Sequence, residues 1–101
     1  VVETMPLAFC DSTTVKADDL VSVKRVAKDR VGELQMARFN AAHQWYYFPG
    51  MRSDEAVLIK TYDSARDGRN RFTIHTAFAD PNSAVDAAPR QSLETRCFVF
   101  Y

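Results

Sequence analysis

The sequence predicts an all-β sandwich or barrel, and three observations lead there. Short aromatic or β-branched runs recur through the second half, at residues 45–48, 55–62, 72–78 and 91–101. The first three are closed by turn chemistry: Pro49-Gly50, Asp63-Ser64 and Asp80-Pro81. No long segment with helical spacing separates them, as a βαβ arrangement would require.

The first half is read element by element. Val1-Val2 and Pro6-Leu7-Ala8-Phe9-Cys10 are extended apolar segments, and the second ends at the turn-prone Asp11-Ser12. Thr13 or Thr14 is expected to cap one short helix from Val15 to Leu20, leaving Lys16, Asp18 and Asp19 in solvent. Between residues 20 and 39 the period is mixed. Val23, Val26 and Ala27 allow a helix, whereas Val21/Val23 and Leu34/Met36, on either side of Gly32, suit a hairpin better. In the aromatic run Trp45-Tyr46-Tyr47-Phe48, core packing is expected over a base-stacking platform, because no basic residues are interleaved.

Length and composition bound the function. A chain of 101 residues is at most one small domain with a modest core. Lys+Arg and Asp+Glu are both 13, so no basic stripe points to nucleic acid and no polybasic run points to a membrane surface. Apolar runs fall far short of a membrane span. No charged-then-apolar leader is visible. Two cysteines, Cys10 and Cys97, make no disulfide framework; reduced, buried thiols in a cytoplasmic protein are expected. The chain begins at Val1 and stops inside the apolar run 97–101, so it is expected to be a piece of a longer protein.

The chemistry-bearing residues cluster late. Strand alternation puts Phe72, Ile74, Thr76 and Phe78 on one face and His75 on the other. Arg90 and Ser92 follow a loop later, on the parity of Glu94 and Arg96. A neutral imidazole is a good ferrous-iron ligand, and a guanidinium with a nearby hydroxyl suits the carboxylate of a dicarboxylic co-substrate such as 2-oxoglutarate. Tyr47, Lys60 and Tyr62 are further candidates to line a substrate pocket. Each has a plainer reading. A lone strand histidine is more often a hydrogen-bonded structural residue. Arg90 could be a surface cation, Arg96 could pair with Glu94, and Lys60 could be an edge charge that blocks strand pairing. His43 is expected at the rim. Asp54-Glu55 is a poor acid-base couple, because neighbours in a strand face opposite ways. On these residues alone the plainer readings carry more weight.

Several blocks in order shift that balance. They are Trp45-Tyr46-Tyr47-Phe48-Pro49-Gly50-Met51, the run from Asp54 to Ser64, His75-Thr76-Ala77-Phe78-Ala79-Asp80-Pro81, and Arg90-Gln91-Ser92-Leu93-Glu94-Thr95-Arg96. Together they resemble the C-terminal half of the AsaB-like hydroxylase/desaturase family, which includes CmcJ-type proteins. The resemblance implies part of a double-stranded β-helix, a cupin-like jelly roll, within the Fe(II)/2-oxoglutarate oxygenase superfamily. It implies His75 as the second histidine of the metal triad, and Arg90 with Ser92 as the 2-oxoglutarate anchor. Small-molecule substrates and hydroxylation or desaturation are implied with it. The family's His-x-Asp pair would lie upstream of Val1, because His43 is followed by Gln44 and Trp45 and cannot supply it. The chain by itself is therefore expected to be inactive and prone to self-association through open strand edges.

Overall fold

Five strands form in the order β1 (Leu7–Cys10), β2 (Leu20–Val26), β3 (Val31–Ala37), β4 (Trp45–Tyr47) and β5 (His75–Ala77). The structure is a computed structural model that describes residues 1–101. β1 is the middle of a three-stranded antiparallel sheet of order β4-β1-β5, and β2 and β3 form a separate hairpin. The all-β expectation is met.

Register fixes the two faces of the three-stranded sheet. Ala8 stands opposite both Tyr47 and Thr76, so these three share a side with Cys10 and Trp45. Phe9 stands opposite Tyr46 and His75 on the other side. Ala8 and Cys10 are the buried apolar residues of that first face, where the Tyr47 and Phe78 rings also meet edge to face at 5.0 Å. Hydrogen bonding continues one residue past each end of β5, from the Cys10 N–H to the Ile74 carbonyl and from the Phe78 N–H to the Pro6 carbonyl. After β4 the chain turns at Pro49-Gly50, where Gly50 takes a left-handed φ of 62° that an L side chain would resist.

The hairpin has the expected facing residues and a different turn. Val21 opposes Met36 and Val23 opposes Leu34, giving one apolar side. The other side carries Ser22 against Gln35 and Lys24 against Glu33, an opposite-charge pair. The reversal lies at residues 27–30, closed by the Ala27 N–H on the Arg30 carbonyl at 2.9 Å. Gly32 is inside the ladder opposite Arg25, not at the turn. The polar Lys28-Asp29-Arg30 run makes the loop, and the Val26–Val31 pair closes it.

Further expectations are corrected. In place of one short helix there are two single 3₁₀ turns, Ser12–Thr14 and Ala17–Asp19, with Val15 extended between them. Asp11, not Thr13 or Thr14, is the N-cap: its carboxylate accepts from the Thr13 N–H and hydroxyl, and the turn ends where Val15 becomes extended. Asp19 is buried, not solvated, and its carboxylate accepts the Lys16 N–H. Residues 55–62 and 91–101 form no strand, and the expected strand 72–78 is ordered as a ladder only at His75–Ala77. Strand propensity needs a partner ladder, and Leu58, Leu93 and Phe98 are each more than nine-tenths exposed. Cys97 lies in the unpaired run and is exposed, while Cys10 is buried as expected. The aromatic run is likewise not core: Trp45, Tyr46 and Phe48 are all exposed.

The chain exposes 9024 Å², where a closed domain of its mass would expose about 5,800 Å². It makes 25 backbone–backbone hydrogen bonds, where about 70 are usual at this length. Its strands are in place, but a second layer that would cover them is not. No helix of the chain is long and apolar enough to cross a membrane.

Candidate functional site

His75 opens β5, on the sheet face it shares with Phe9, Tyr46 and Phe48. Its ring centroid lies 6.3 Å from that of Phe9 at an interplanar angle of 30°, and Phe9 in turn lies 6.0 Å from Phe48. The imidazole Nδ1 is 2.9 Å from the Thr73 carbonyl oxygen. A carbonyl can only accept, so Nδ1 carries a proton, and in the neutral ring Nε2 keeps its lone pair. A metal-binding histidine commonly donates its other ring N–H to a backbone carbonyl in this way. The residues present therefore fit one corner of a metal centre. No three His, Cys, Asp or Glu side chains converge anywhere in this chain, at His75 included.

The other candidates are placed by different parts of the fold. Arg90 is half-buried and Ser92 exposed, both beyond the last strand. The loop leading to them is tied to the chain start: the Ser83 hydroxyl donates to the Glu3 carbonyl, the Ala88 N–H to the Glu3 carboxylate, and the Thr4 hydroxyl to the Ala88 carbonyl. That anchor holds the Arg90 segment near the residues that lead into β1. No hydrogen bond or ion pair joins Arg90 or Ser92 to His75. Tyr47 lies on the opposite face from His75, whereas its neighbours Tyr46 and Phe48 share the His75 face. Lys60 and Tyr62 do not share a strand face, because no strand forms there. The Lys60 ammonium donates to Asp63 at 2.6 Å, and Tyr62 sits under the Arg71 guanidinium at 5.4 Å. Arg96 pairs with Glu94 at 2.8 Å, as its spacing allows.

Two carboxylate hubs organise the polar structure. Asp19 accepts from the Lys16 N–H, from His43 Nε2 at 2.9 Å and from the Asn40 amide at 3.2 Å. Those bonds, led by the Lys16 N–H, lower its pKa to about 2. His43 is thus enclosed as a structural partner and not at the rim. Because the Arg38 N–H also donates to the Asp19 carbonyl, this one residue ties the base of the hairpin to the approach to β4. Asp63 accepts from Lys60, the Ala65 N–H and the Tyr101 hydroxyl, which together hold its carboxyl far below the usual range, the Lys60 contact most of all. The Tyr101 phenol is pushed up by the same contact.

Both hubs escaped sequence reasoning in their long-range halves. Asp19 three residues after Lys16 and Asp63 three after Lys60 are spacings a local reading can find. His43 and Tyr101 arrive from 24 and 38 residues away and leave no local trace. A hollow of about 210 Å³ also forms, lined by Cys10, Val15, Leu20, Phe72 and Ile74 among others. It lies on the Cys10 face of the sheet, away from His75, so it is not where the imidazole points.

Comparison with known proteins follows the same line. The hydroxylase/desaturase asaB of Aspergillus flavus is 49% identical over 110 residues, covering 95% of this chain and 48% of that protein. The Fe(II)/2-oxoglutarate-dependent dioxygenase nvfI of Aspergillus novofumigatus is 39% identical over 98 residues, covering 94% of this chain and 34% of that protein. The alpha-ketoglutarate-dependent dioxygenase phiK of a fungal species is 34% identical, covering 99% of this chain and 37% of that protein. This chain spans about a third to a half of the length of the curated relatives it matches. No solved structure matches it. The family described as Oxidoreductase/YMDC permease-like domain matches residues 1–100. On that coverage the chain belongs to this oxidoreductase family, in the company of the AsaB-like hydroxylase/desaturases.

Proposed function

We propose that this chain is the C-terminal portion of a cytoplasmic Fe(II)/2-oxoglutarate-dependent oxygenase that hydroxylates or desaturates a small metabolite. The observation that carries the reading is the setting of His75: Nδ1–H is committed to the Thr73 carbonyl, which leaves the Nε2 lone pair of the neutral ring free to ligate, on an exposed residue of the sheet. The names of the relatives supply the metal and co-substrate class. His75 would hold iron through Nε2. Arg90 would grip the distal carboxylate of 2-oxoglutarate through two parallel N–H bonds, with the Ser92 hydroxyl adding a third. When bound, the iron would let dioxygen act as the oxidant, with 2-oxoglutarate supplying two further electrons, so that hydrogen can be removed from the substrate.

The remaining ligands, a His-x-Asp pair, would come from the rest of the protein. So would the second layer of a double-stranded β-helix, which the exposed surface of this chain calls for. One metal ligand of three cannot hold ferrous iron usefully, so the isolated chain is expected to be inactive.

The test is the Arg90→Ala variant of the full-length protein, assayed by succinate formation against 2-oxoglutarate concentration. Losing a bidentate charged contact should raise the 2-oxoglutarate KM on the order of 10- to 100-fold. An unchanged KM removes Arg90 from the site.

A further inference from the structure

We infer that Phe9 is a positioning residue for the His75 imidazole: its ring, registered directly across the ladder, fixes the plane in which Nε2 presents its lone pair. The inference rests on the proposed role of His75 and extends it to a residue on another strand.

Three observations converge on it. First, Phe9 and His75 are directly opposed in the β1–β5 register, so their side chains leave the sheet side by side on one face. Second, the rings lie 6.3 Å apart and 30° from parallel, close enough for an offset contact that restricts rotation of the imidazole. Third, Phe9 is braced from its other side by Phe48, 6.0 Å away and just beyond β4. A histidine has two side-chain torsions. The Nδ1–H bond to the Thr73 carbonyl constrains the ring at one atom but permits it to swing about that bond. Phe9 occupies one side of the swing. With Nδ1 committed to the Thr73 carbonyl, Nε2 is the ring nitrogen that this contact leaves uncommitted. No charged side chain lies opposite His75 in the ladder, so the contact that orients the ring is apolar and insensitive to salt.

The experiment uses the full-length protein, free of iron, titrated anaerobically with cobalt(II) in the presence of 2-oxoglutarate and followed by the visible absorption of the bound ion. His75→Ala establishes whether the signal belongs to this site. Phe9→Leu keeps apolar bulk and removes the flat ring, and Phe9→Tyr keeps the ring. Phe78→Leu removes an aromatic of the same sheet from the opposite face. Phe9→Leu should weaken cobalt binding roughly 10-fold, in line with the loss of a residue that orients a ligand. Phe9→Tyr should match the wild type in affinity and band shape, and Phe78→Leu should leave both unchanged.

Equal cobalt affinity for Phe9→Leu and wild type would overturn the inference. So would an equal loss in Phe78→Leu, which would reduce the Phe9 effect to general loosening of the sheet. A cobalt signal indifferent to His75→Ala would remove the underlying metal assignment and this inference with it.

Discussion

The three-stranded sheet and the run 91–101 are built from the same kinds of residue and behave in opposite ways. β1 reads Leu-Ala-Phe-Cys, and the late run includes Cys97-Phe98-Val99-Phe100-Tyr101. In β1 both edges are hydrogen-bonded, and Ala8 and Cys10 are buried. In the late run no ladder forms, Phe98 and Phe100 are more than nine-tenths exposed, and the Tyr101 hydroxyl is held by Asp63. The difference lies in the neighbours, not in local preference. β1 has β4 and β5 to hand, whereas 91–101 has no strand beside it within this chain. An extended apolar segment becomes a strand only when another backbone satisfies its N–H and C=O groups.

That contrast can be broken most forcefully at Ala8. An Ala8→Asp change places an unpaired charge in the closed middle of the sheet and should cost about 3–5 kcal/mol. Val99→Asp in this chain should stay within about 0.5 kcal/mol, as exposed substitutions do. Urea unfolding followed by near-ultraviolet circular dichroism measures both, and equal losses would erase the distinction. In the longer protein the Val99 substitution should become costly if the run gains a partner strand there. A smaller effect separates the two thiols. Cys97 should be alkylated at the rate of a free thiol, and Cys10 at least about tenfold more slowly, because reagent reaches it only when the sheet opens. Mass spectrometry of timed quenches reads the ratio.

The gentlest test is acid. Asp19 has a folded pKa of about 2 against an ordinary value of 3.8. Its contribution is complete above the ordinary value and is lost as pH falls through the folded one. Thermal unfolding should therefore shift downward between about pH 4 and pH 2. Asp19→Asn should flatten that slope, and Asp63→Asn should flatten it further toward the acid end, since the Asp63 carboxyl is held lower still. A slope unchanged by both variants would show that neither hub ties the loops to the sheet.

The sequence made some of this legible and hid the rest for physical reasons. Alternation alone separates His75 from Ile74 and Thr76, because a strand has a fixed period of two. The facing pairs of the hairpin were readable from Val21, Val23, Leu34 and Met36 for the same reason, but its turn was not. Gly32 looks like the reversal until the Val26–Val31 pair places the loop before it. Strands at 55–62 and 91–101 were expected from residue type, yet pairing depends on distant backbone that residue type does not encode. Asp19 looked like a solvated helix residue, since its partners Asn40 and His43 lie across the whole hairpin. Which aromatics accompany His75 was equally hidden. Tyr47 was the candidate, and the register of β4 on β1 gives that face to Tyr46 and Phe48 instead.

The middle position of β1 has a consequence for how the chain emerges during synthesis. Phe9 precedes β4 in the chain and gains Tyr46 and Phe48 as companions once β4 appears, but β5 follows only some seconds later at ordinary rates of elongation. Until then one rim of β1 stands open, while β2 and β3 can close on each other without waiting. The aromatic seat is thus built before the imidazole that leans on it, and β5 is the last of the five strands to find its place.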